Sequence, residues 1–360
     1  MNDRAENHMR RTNVVAAGIL LLLGIGCGGS GGGSQTPTGR TFAAVPVIES
    51  VDTPSCLRFA PDGRLFFTEL TTGRVRVASG FSLSATPFTT LPVATAGEQG
   101  ALSMAFDPQY NTNHFVYFCY TDAGAGCDRV VRFTDSANVG TAETVIVDRL
   151  PIAGNHNGGR IGFGADGKLY VTIGENGNPA NSQNPNVLPG KILRYNPDGT
   201  VPGDNPVAGN PMWALGLRNS FGLAFQPGTG TPFVSENGPG CDDEINRIVK
   251  GANYGWRPDQ PCNDHDSAFV MPLARFNPTI APTGIAFSTS DAYGFAGGLV
   301  MGSYNDGTLR EFSISGSAIT SQQVLVTGLG HLFDVTEGPD GFLYLASSDK
   351  IYRLTILPSL

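Results

Sequence analysis

The sequence predicts an all-β chain folded as a six-bladed β-propeller of four-stranded antiparallel blades. Three observations lead there. Glycine (48) and proline (25) are abundant among the 360 residues, at a level that long helices do not tolerate. Aromatic and β-branched residues stand in short runs between turn signals, as in a chain of many short strands. One pattern also recurs: a small-apolar-Phe start, a Pro-Asp-Gly-like turn, an alternating strand, then a Gly and a second strand.

The copies follow one another along the chain. The first runs from Cys56 to Glu69 and contains Pro61-Asp62-Gly63, and the second joins Leu102–Pro108 to Phe115–Phe118. The third is Gly159 to Thr172, and the fourth joins Gly222–Pro227 to Pro232–Val234. The fifth joins Gly284–Phe287 to Gly298–Met301, and the last is Val335 to Leu345, with Pro339-Asp340-Gly341. A spacing of roughly 45 to 65 residues is what four-stranded blades need. The Asp-Gly pairs supply the positive φ of tight hairpins, and Lys168-Leu169-Tyr170-Val171-Thr172 alternates as a half-buried strand should. Phe42 to Val51 is placed to add an outer strand to the last blade and close the ring. A β-sandwich with coincidental turns is the weaker alternative, because it does not explain six copies.

The first 27 residues read as a targeting segment rather than part of the fold. Arg10-Arg11 precede an apolar run from Val14 to Ile25, of signal-peptide length and short for a membrane span. Leu23-Gly24-Ile25-Gly26-Cys27 resembles a lipoprotein cleavage box with Cys27 lipidated, and residues 28–40 then form a Gly/Ser-rich tether. A secretory signal with an incidental Cys27 is the other reading. Residues 41–360 make the propeller, in an exported chain that is periplasmic or anchored at the outer membrane. Export implies an oxidising compartment. Cys119 and Cys127 flank one turn and Cys241 and Cys262 flank one loop, so each pair is placed for a local disulfide, with Cys56 left as a buried thiol. Spacing alone leaves the connectivity open. The net charge is −8 and no Lys/Arg cluster follows the first dozen residues, which argues against a nucleic-acid partner.

The chemistry concentrates between Asn155 and Trp256. There Asn155-His156-Asn157-Gly158-Gly159-Arg160, Leu215-Gly216-Leu217-Arg218-Asn219, Glu236-Asn237-Gly238-Pro239, Asp242-Asp243-Glu244 and Asn253-Tyr254-Gly255-Trp256 set polar groups on glycine-shaped turns. That is how a small-molecule site looks in sequence. A lone His more often serves a turn, but the company of Arg218-Asn219 and Gly238-Pro239 favours a site role for His156. Arg160, followed at once by an apolar strand, reads as structural, and Asp242 as a solvated acidic turn. Gly162, Gly164 and Gly167 match a dinucleotide fingerprint in spacing only, since a strand follows them. Metalloprotease and Cys-x-x-Cys signatures are absent from the sequence, and Gly28-Gly29-Ser30-Gly31-Gly32 matches Gly-x-Ser-x-Gly only as part of the Gly/Ser-rich tether.

These segments, with Gly190-Lys191-Ile192-Leu193-Arg194, resemble the glucose/sorbosone dehydrogenase family from about Val45 to Leu354. The resemblance implies a six-bladed propeller that oxidises the anomeric carbon of an aldose sugar to a lactone, with pyrroloquinoline quinone taking the hydride. It implies His156 as general base and Arg218 as the group that polarises the quinone oxygen. Glu98 and Asn219 fall at cofactor-contacting positions. The carbonyls of Gly238 and Pro239 match those that hold a calcium ion on the quinone, and Glu244 with the Tyr254 carbonyl matches a second calcium site. The sequence also departs from the family. Glu98 stands where a Gln is common, Asn305 replaces a Lys, and His331 and Phe333 replace two Arg. Charge-assisted contacts are each worth about 1.5–3 kcal/mol, so a tri-acid cofactor is expected to be held more weakly here. The rival expectation is a non-catalytic surface propeller that binds a carbohydrate or protein. Another cofactor in the same channel is a third, and no residue names one.

Overall fold

The computed structural model describes residues 39–358. The signal segment, Cys27 and the tether up to residue 38 lie outside the described residues. Six sheets follow one another around a ring, each with its first strand innermost. The inner strands are Pro54–Phe59, Ala101–Phe106, Ile161–Phe163, Ser220–Phe225, Pro282–Phe287 and Leu332–Glu337. Each belongs to one sequence repeat, so the repeat supplies the inner hairpin of its blade. The outer strands come from the less regular sequence between repeats. Blade 1 differs, ending in two short strands, Ser82–Leu83 and Thr89–Thr90, that both pair with Arg74–Ser79. Thr41–Glu49 pairs antiparallel with Lys350–Leu357 as the outermost strand of blade 6. The first described strand thus completes the last blade.

The hairpins show why Asp-Gly recurs. Gly63, Gly167 and Gly341 adopt φ of 88°, 69° and 75°. The Asp before each accepts a hydrogen bond from the backbone N–H two residues on: Arg64 (3.1 Å), Lys168 (3.1 Å) and Phe342 (3.2 Å). Such a side-chain turn fixes the hairpin and hence the strand register. Between blades, apolar clusters fill the wedge, as where Phe66, Phe88, Phe118 and Phe133 meet between blades 1 and 2. Hydroxyls add a second contact near the axis. Ser55 donates to the Ala101 carbonyl (2.5 Å), Ser103 to Gly159 (2.6 Å), Thr172 to Ser220 (2.9 Å) and Ser235 to Thr283 (2.6 Å). Blades 1 to 5 are stitched in this way, each to the next.

Arg160 is structural, as its sequence context suggests. It is buried, and its guanidinium donates to the carbonyls of Phe221 (2.6 Å) and Phe333 (2.8 Å), on blades 4 and 6. It lies 3.7 Å from Asp334, which also pairs with Arg58 (2.9 Å) and accepts from the Leu57 N–H (2.8 Å) on blade 1. The cysteines need one correction. Cys241 and Cys262 form a disulfide, but Cys56, Cys119 and Cys127 are free and buried. Cys119 and Cys127 lie on paired strands, yet Cys119 faces Val130 while Cys127 faces Asp122. Three rungs separate them, about 10 Å along the ladder, beyond the reach of a disulfide at ~7 Å.

Two outcomes test this description. Peptide mapping under non-reducing conditions should find Cys241 linked to Cys262 and alkylated thiols at Cys56, Cys119 and Cys127. Arg160→Met strips a buried network of one charge and two backbone partners, so chemical denaturation should show a loss of about 3 kcal/mol. A loss under 1 kcal/mol would mean the arginine does not brace the axis.

Candidate active site

One end of the ring's axis opens into a cavity of about 440 Å³. Of the residues singled out in the sequence, Glu98, His156, Arg218, Asn219 and Gly238 line it together. Pro239, Glu244 and Tyr254 do not. They line a smaller neighbouring void of about 30 Å³, which shares Arg218 and Gly238 with the first. The candidates thus fall into two adjoining sites.

His156 sits on a loop that leaves ordinary backbone geometry, at φ 57°. Such strain in a non-glycine residue persists only where its surroundings enforce it. Here they do. Asn176 donates to the His156 carbonyl from both its N–H and its side chain, each at 3.2 Å, and Asn157 clasps Ala153 through its amide (2.8 and 3.0 Å). The imidazole Nδ1 lies 2.7 Å from a carboxylate oxygen of buried Glu175. A carboxylate there requires the proton on Nδ1, which leaves Nε2 with its lone pair free as a base. Glu175, which the sequence did not single out, is a candidate positioning residue for that imidazole. Its only signal was an acid just past the strand Leu169–Ile173, in a loop bounded by glycines.

Glu98 spans the site. One oxygen accepts the His156 N–H (2.8 Å) and the Asn219 side chain (3.2 Å). Gly97, at φ 62°, makes this approach possible: a Cβ there would come within 1.7 Å of the Gly154 carbonyl oxygen. Arg218 and Asn219 are fixed from behind by Glu236, one of whose oxygens accepts both of their backbone N–H groups at 2.5 Å. Burial, together with the nearby Glu244 carboxylate, pushes the Glu236 carboxyl up to about 8. The Arg218 guanidinium donates to the Asn237 carbonyl (2.7 Å) and lies 5.6 Å from the Trp256 ring centroid. Asp243 also faces the cavity and ties down Gly238, Ile280 and Ala281 through their N–H groups. Burial raises its pKa. Neither Glu236 nor Asp243 was recognised as a site residue from sequence, because their partners are backbone groups.

The opposite wall is uncharged. Tyr304, Asn305, Phe333, Thr279 and Thr283 line it. The three cation positions of the family pattern carry an amide and two rings. Two buried atoms in this cavity have no partner, Asn219 Oδ1 and Thr283 Oγ1. The end near His156 therefore fits a quinone in donor type: an imidazole, an arginine and an amide oxygen line it together. No side-chain cation lines the far wall to meet carboxylates.

The smaller void fits a calcium ion in donor type. Asp242 Oδ1 and Gln260 Oε1 are buried and unpartnered among its lining groups. This corrects the expectation for Asp242: it is buried at 7% exposure, and its other oxygen accepts from the Asn263 N–H. The Cys241–Cys262 disulfide holds that loop against the void. Glu244 already meets Arg275 (3.4 Å) and Asn246 (3.0 Å). Among the described residues, no three His, Cys, Asp or Glu side chains form a metal-holding group. An ion there would need carbonyl and amide oxygens as well, which calcium accepts.

Comparison with known proteins agrees with this geometry. The family model for glucose/sorbosone dehydrogenase matches residues 51–355. Aldose sugar dehydrogenase YliI of Escherichia coli is 30% identical over 331 residues, covering 84% of this chain and 89% of that protein. Quinoprotein glucose dehydrogenase B of Acinetobacter calcoaceticus is 33% identical, covering 60% of this chain and 52% of that one. The solved PQQ-bound form of aldose sugar dehydrogenase from Streptomyces coelicolor superposes with a TM-score of 0.81 at 30% identity, over 89% of this chain and 99% of that one. With its ring of six blades and its paired sites at one end of the axis, the chain belongs to the glucose/sorbosone dehydrogenase family.

Proposed function

We propose that this chain oxidises the anomeric carbon of an aldose sugar to the lactone, with pyrroloquinoline quinone as acceptor and calcium in support. The observation that carries this is His156, whose Nδ1 is tied to Glu175 in the same cavity as Arg218 and Asn219. Nε2 takes the proton of the anomeric hydroxyl as the C–H bond gives up its hydride, so the alcohol carbon becomes a carbonyl. The quinone supplies the two-electron sink for that hydride. Glu175 holds the imidazole in the tautomer that accepts at Nε2 and stabilises the imidazolium that forms. Arg218 places a fixed positive charge in the cavity, for the negative charge that develops during transfer. The Gly238 and Pro239 carbonyls, with Asp242, Glu244, Gln260 and the Tyr254 carbonyl nearby, would supply the oxygen donors for calcium.

The rival reading, a surface propeller without redox chemistry, draws its support from the uncharged wall at Tyr304, Asn305 and Phe333. Titration with the quinone separates them, since micromolar binding abolished by Arg218→Ala would exclude the rival. Export and lipidation at Cys27 remain part of the proposal, on the N-terminal sequence alone.

Two measurements test the chemistry. In calcium-loaded protein with added quinone, dye-linked sugar oxidation should fall at least a thousandfold in His156→Gln, and about a hundredfold in Glu175→Ala. Unchanged turnover in His156→Gln would end the assignment of the base. Chelation should lower the melting temperature by roughly several degrees, with recovery on adding calcium. Asp242→Ala should remove most of that calcium-dependent shift, and a chelator-insensitive melt would remove calcium from the account.

A further inference from the structure

The wall facing His156 carries a structured aromatic platform. Tyr304 and His331 stack face to face, with ring centroids 3.9 Å apart and planes within 9°, and Tyr304 meets Phe333 edge-on at 5.6 Å. Tyr304 is 38% exposed although it lines the cavity. A large ring at a rim, half in water, is ready to cover another apolar surface.

The platform is held rigidly. The Tyr304 N–H donates to the Ala281 carbonyl (2.8 Å) and the Asn305 N–H to Ile280 (3.1 Å). His331 Nδ1 lies 2.8 Å from the Tyr304 carbonyl oxygen and so carries a proton towards it. Asp306 is tied to Ser303 and Arg310, and Phe333 is held through its carbonyl by Arg160. Few rotamers are left to freeze when a ligand arrives, so contact there converts well into affinity.

The charge pattern selects the ligand. Among the lining residues, Arg218 is the only Lys or Arg, and Glu98 and Asp243 are acids. An anionic group at the Tyr304 wall would find no counter-charge. A pyranose ring is uncharged and presents one face of C–H bonds, which suits the electron-rich face of an aromatic ring. Polar groups for its hydroxyls stand close by. Asn305 is exposed beside Tyr304, and Thr283 Oγ1 is buried without a partner. In blade 1, Ser55 holds the position equivalent to Thr283, and its hydroxyl is spent on the next blade.

We propose that Tyr304, backed by His331 and Phe333, is a stacking subsite for a second sugar ring. The inference rests on the sugar-oxidising reading, with the reducing-end ring at His156 and its neighbour on Tyr304. The preferred substrate is then a reducing disaccharide or longer chain rather than the free monosaccharide.

The test compares kcat/KM for glucose with that for cellobiose and maltose in the quinone- and calcium-loaded protein. Wild type should favour at least one disaccharide. Tyr304→Ala should cut that preference by roughly tenfold, while Tyr304→Phe and Tyr304→Trp retain it. The ratio guards against misfolding, which lowers both substrates alike. A wild type without preference overturns the proposal. So does an equal loss on both sugars accompanied by weaker quinone binding, which would make Tyr304 a cofactor contact. Calorimetric titration with methyl cellobioside, which cannot be oxidised at its anomeric carbon, separates this from the function itself. Tyr304-dependent binding in a protein that oxidises no sugar sustains the subsite and sinks the dehydrogenase reading. Sugar oxidation with a disaccharide preference indifferent to Tyr304 does the reverse.

Discussion

A buried charge network on the ring axis constrains everything around it. Arg160, Asp334 and Arg58 come from blades 3, 6 and 1, and they bridge to backbone groups of blades 1, 4 and 6. Buried ions are tolerable when paired; Arg160 Nη1 meets Asp334 by charge alone, without a hydrogen bond, and the pairing requires the blades to sit at one spacing. Hydroxyl bonds connect blades 1 to 5 in sequence, while the ion network ties the last blade back to the first. It also fixes the main chain at Phe221 and Phe333, both of which line the cavity. Ring closure and site geometry therefore depend on the same few contacts.

The acids around the site follow from this. Glu98, Glu236 and Asp243 all accept from backbone N–H groups, so each pins a loop that carries a reacting or ligand-facing group. Such donors offset part of the desolvation that raises the carboxyls of Glu236 and Asp243. Those acids are part of the scaffold; Glu98 and Asp243 line the cavity and offer an anion no counter-charge, while Glu236 stands outside that lining with its carboxyl pushed up to about 8. Of the buried polar atoms left without a partner, Asn219 Oδ1 and Thr283 Oγ1 line the cavity, and Asp242 Oδ1, Gln260 Oε1 and Trp256 Nε1 line the smaller void.

Much of the fold was legible in the sequence because its hairpins are local. Asp62-Gly63, Asp166-Gly167 and Asp340-Gly341 mark turns whose geometry is set within a few residues. His156 and Arg218 could be singled out because their neighbours form specific strings, and the structure brings both to one cavity. Glu175 and Glu236 were not, since each acts through a contact made only when loops meet in three dimensions. The misjudged disulfide has the same origin. Eight positions separate Cys119 from Cys127 along the chain, but a hairpin register sets which residues face, and that register excludes the pair. Asp242 looked solvated because its turn is acidic, whereas the disulfide-bound loop covers it.

The difference between the two walls has a thermodynamic consequence. On the quinone reading, a polyanionic cofactor enters a cavity lined by one arginine and two carboxylates, with rings and amides opposite. Its remaining counter-charge would have to come from the metal at the Gly238-Pro239 turn. Binding of one must then strengthen binding of the other by the same factor, because coupling free energy is reciprocal. A wall rich in lysine and arginine would dilute that coupling by holding the cofactor alone. The aromatic wall leaves the coupling undiluted, and it leaves Tyr304 free to meet an uncharged ring. An uncharged lining and a stacked aromatic pair are thus two aspects of one wall chemistry in blades 5 and 6.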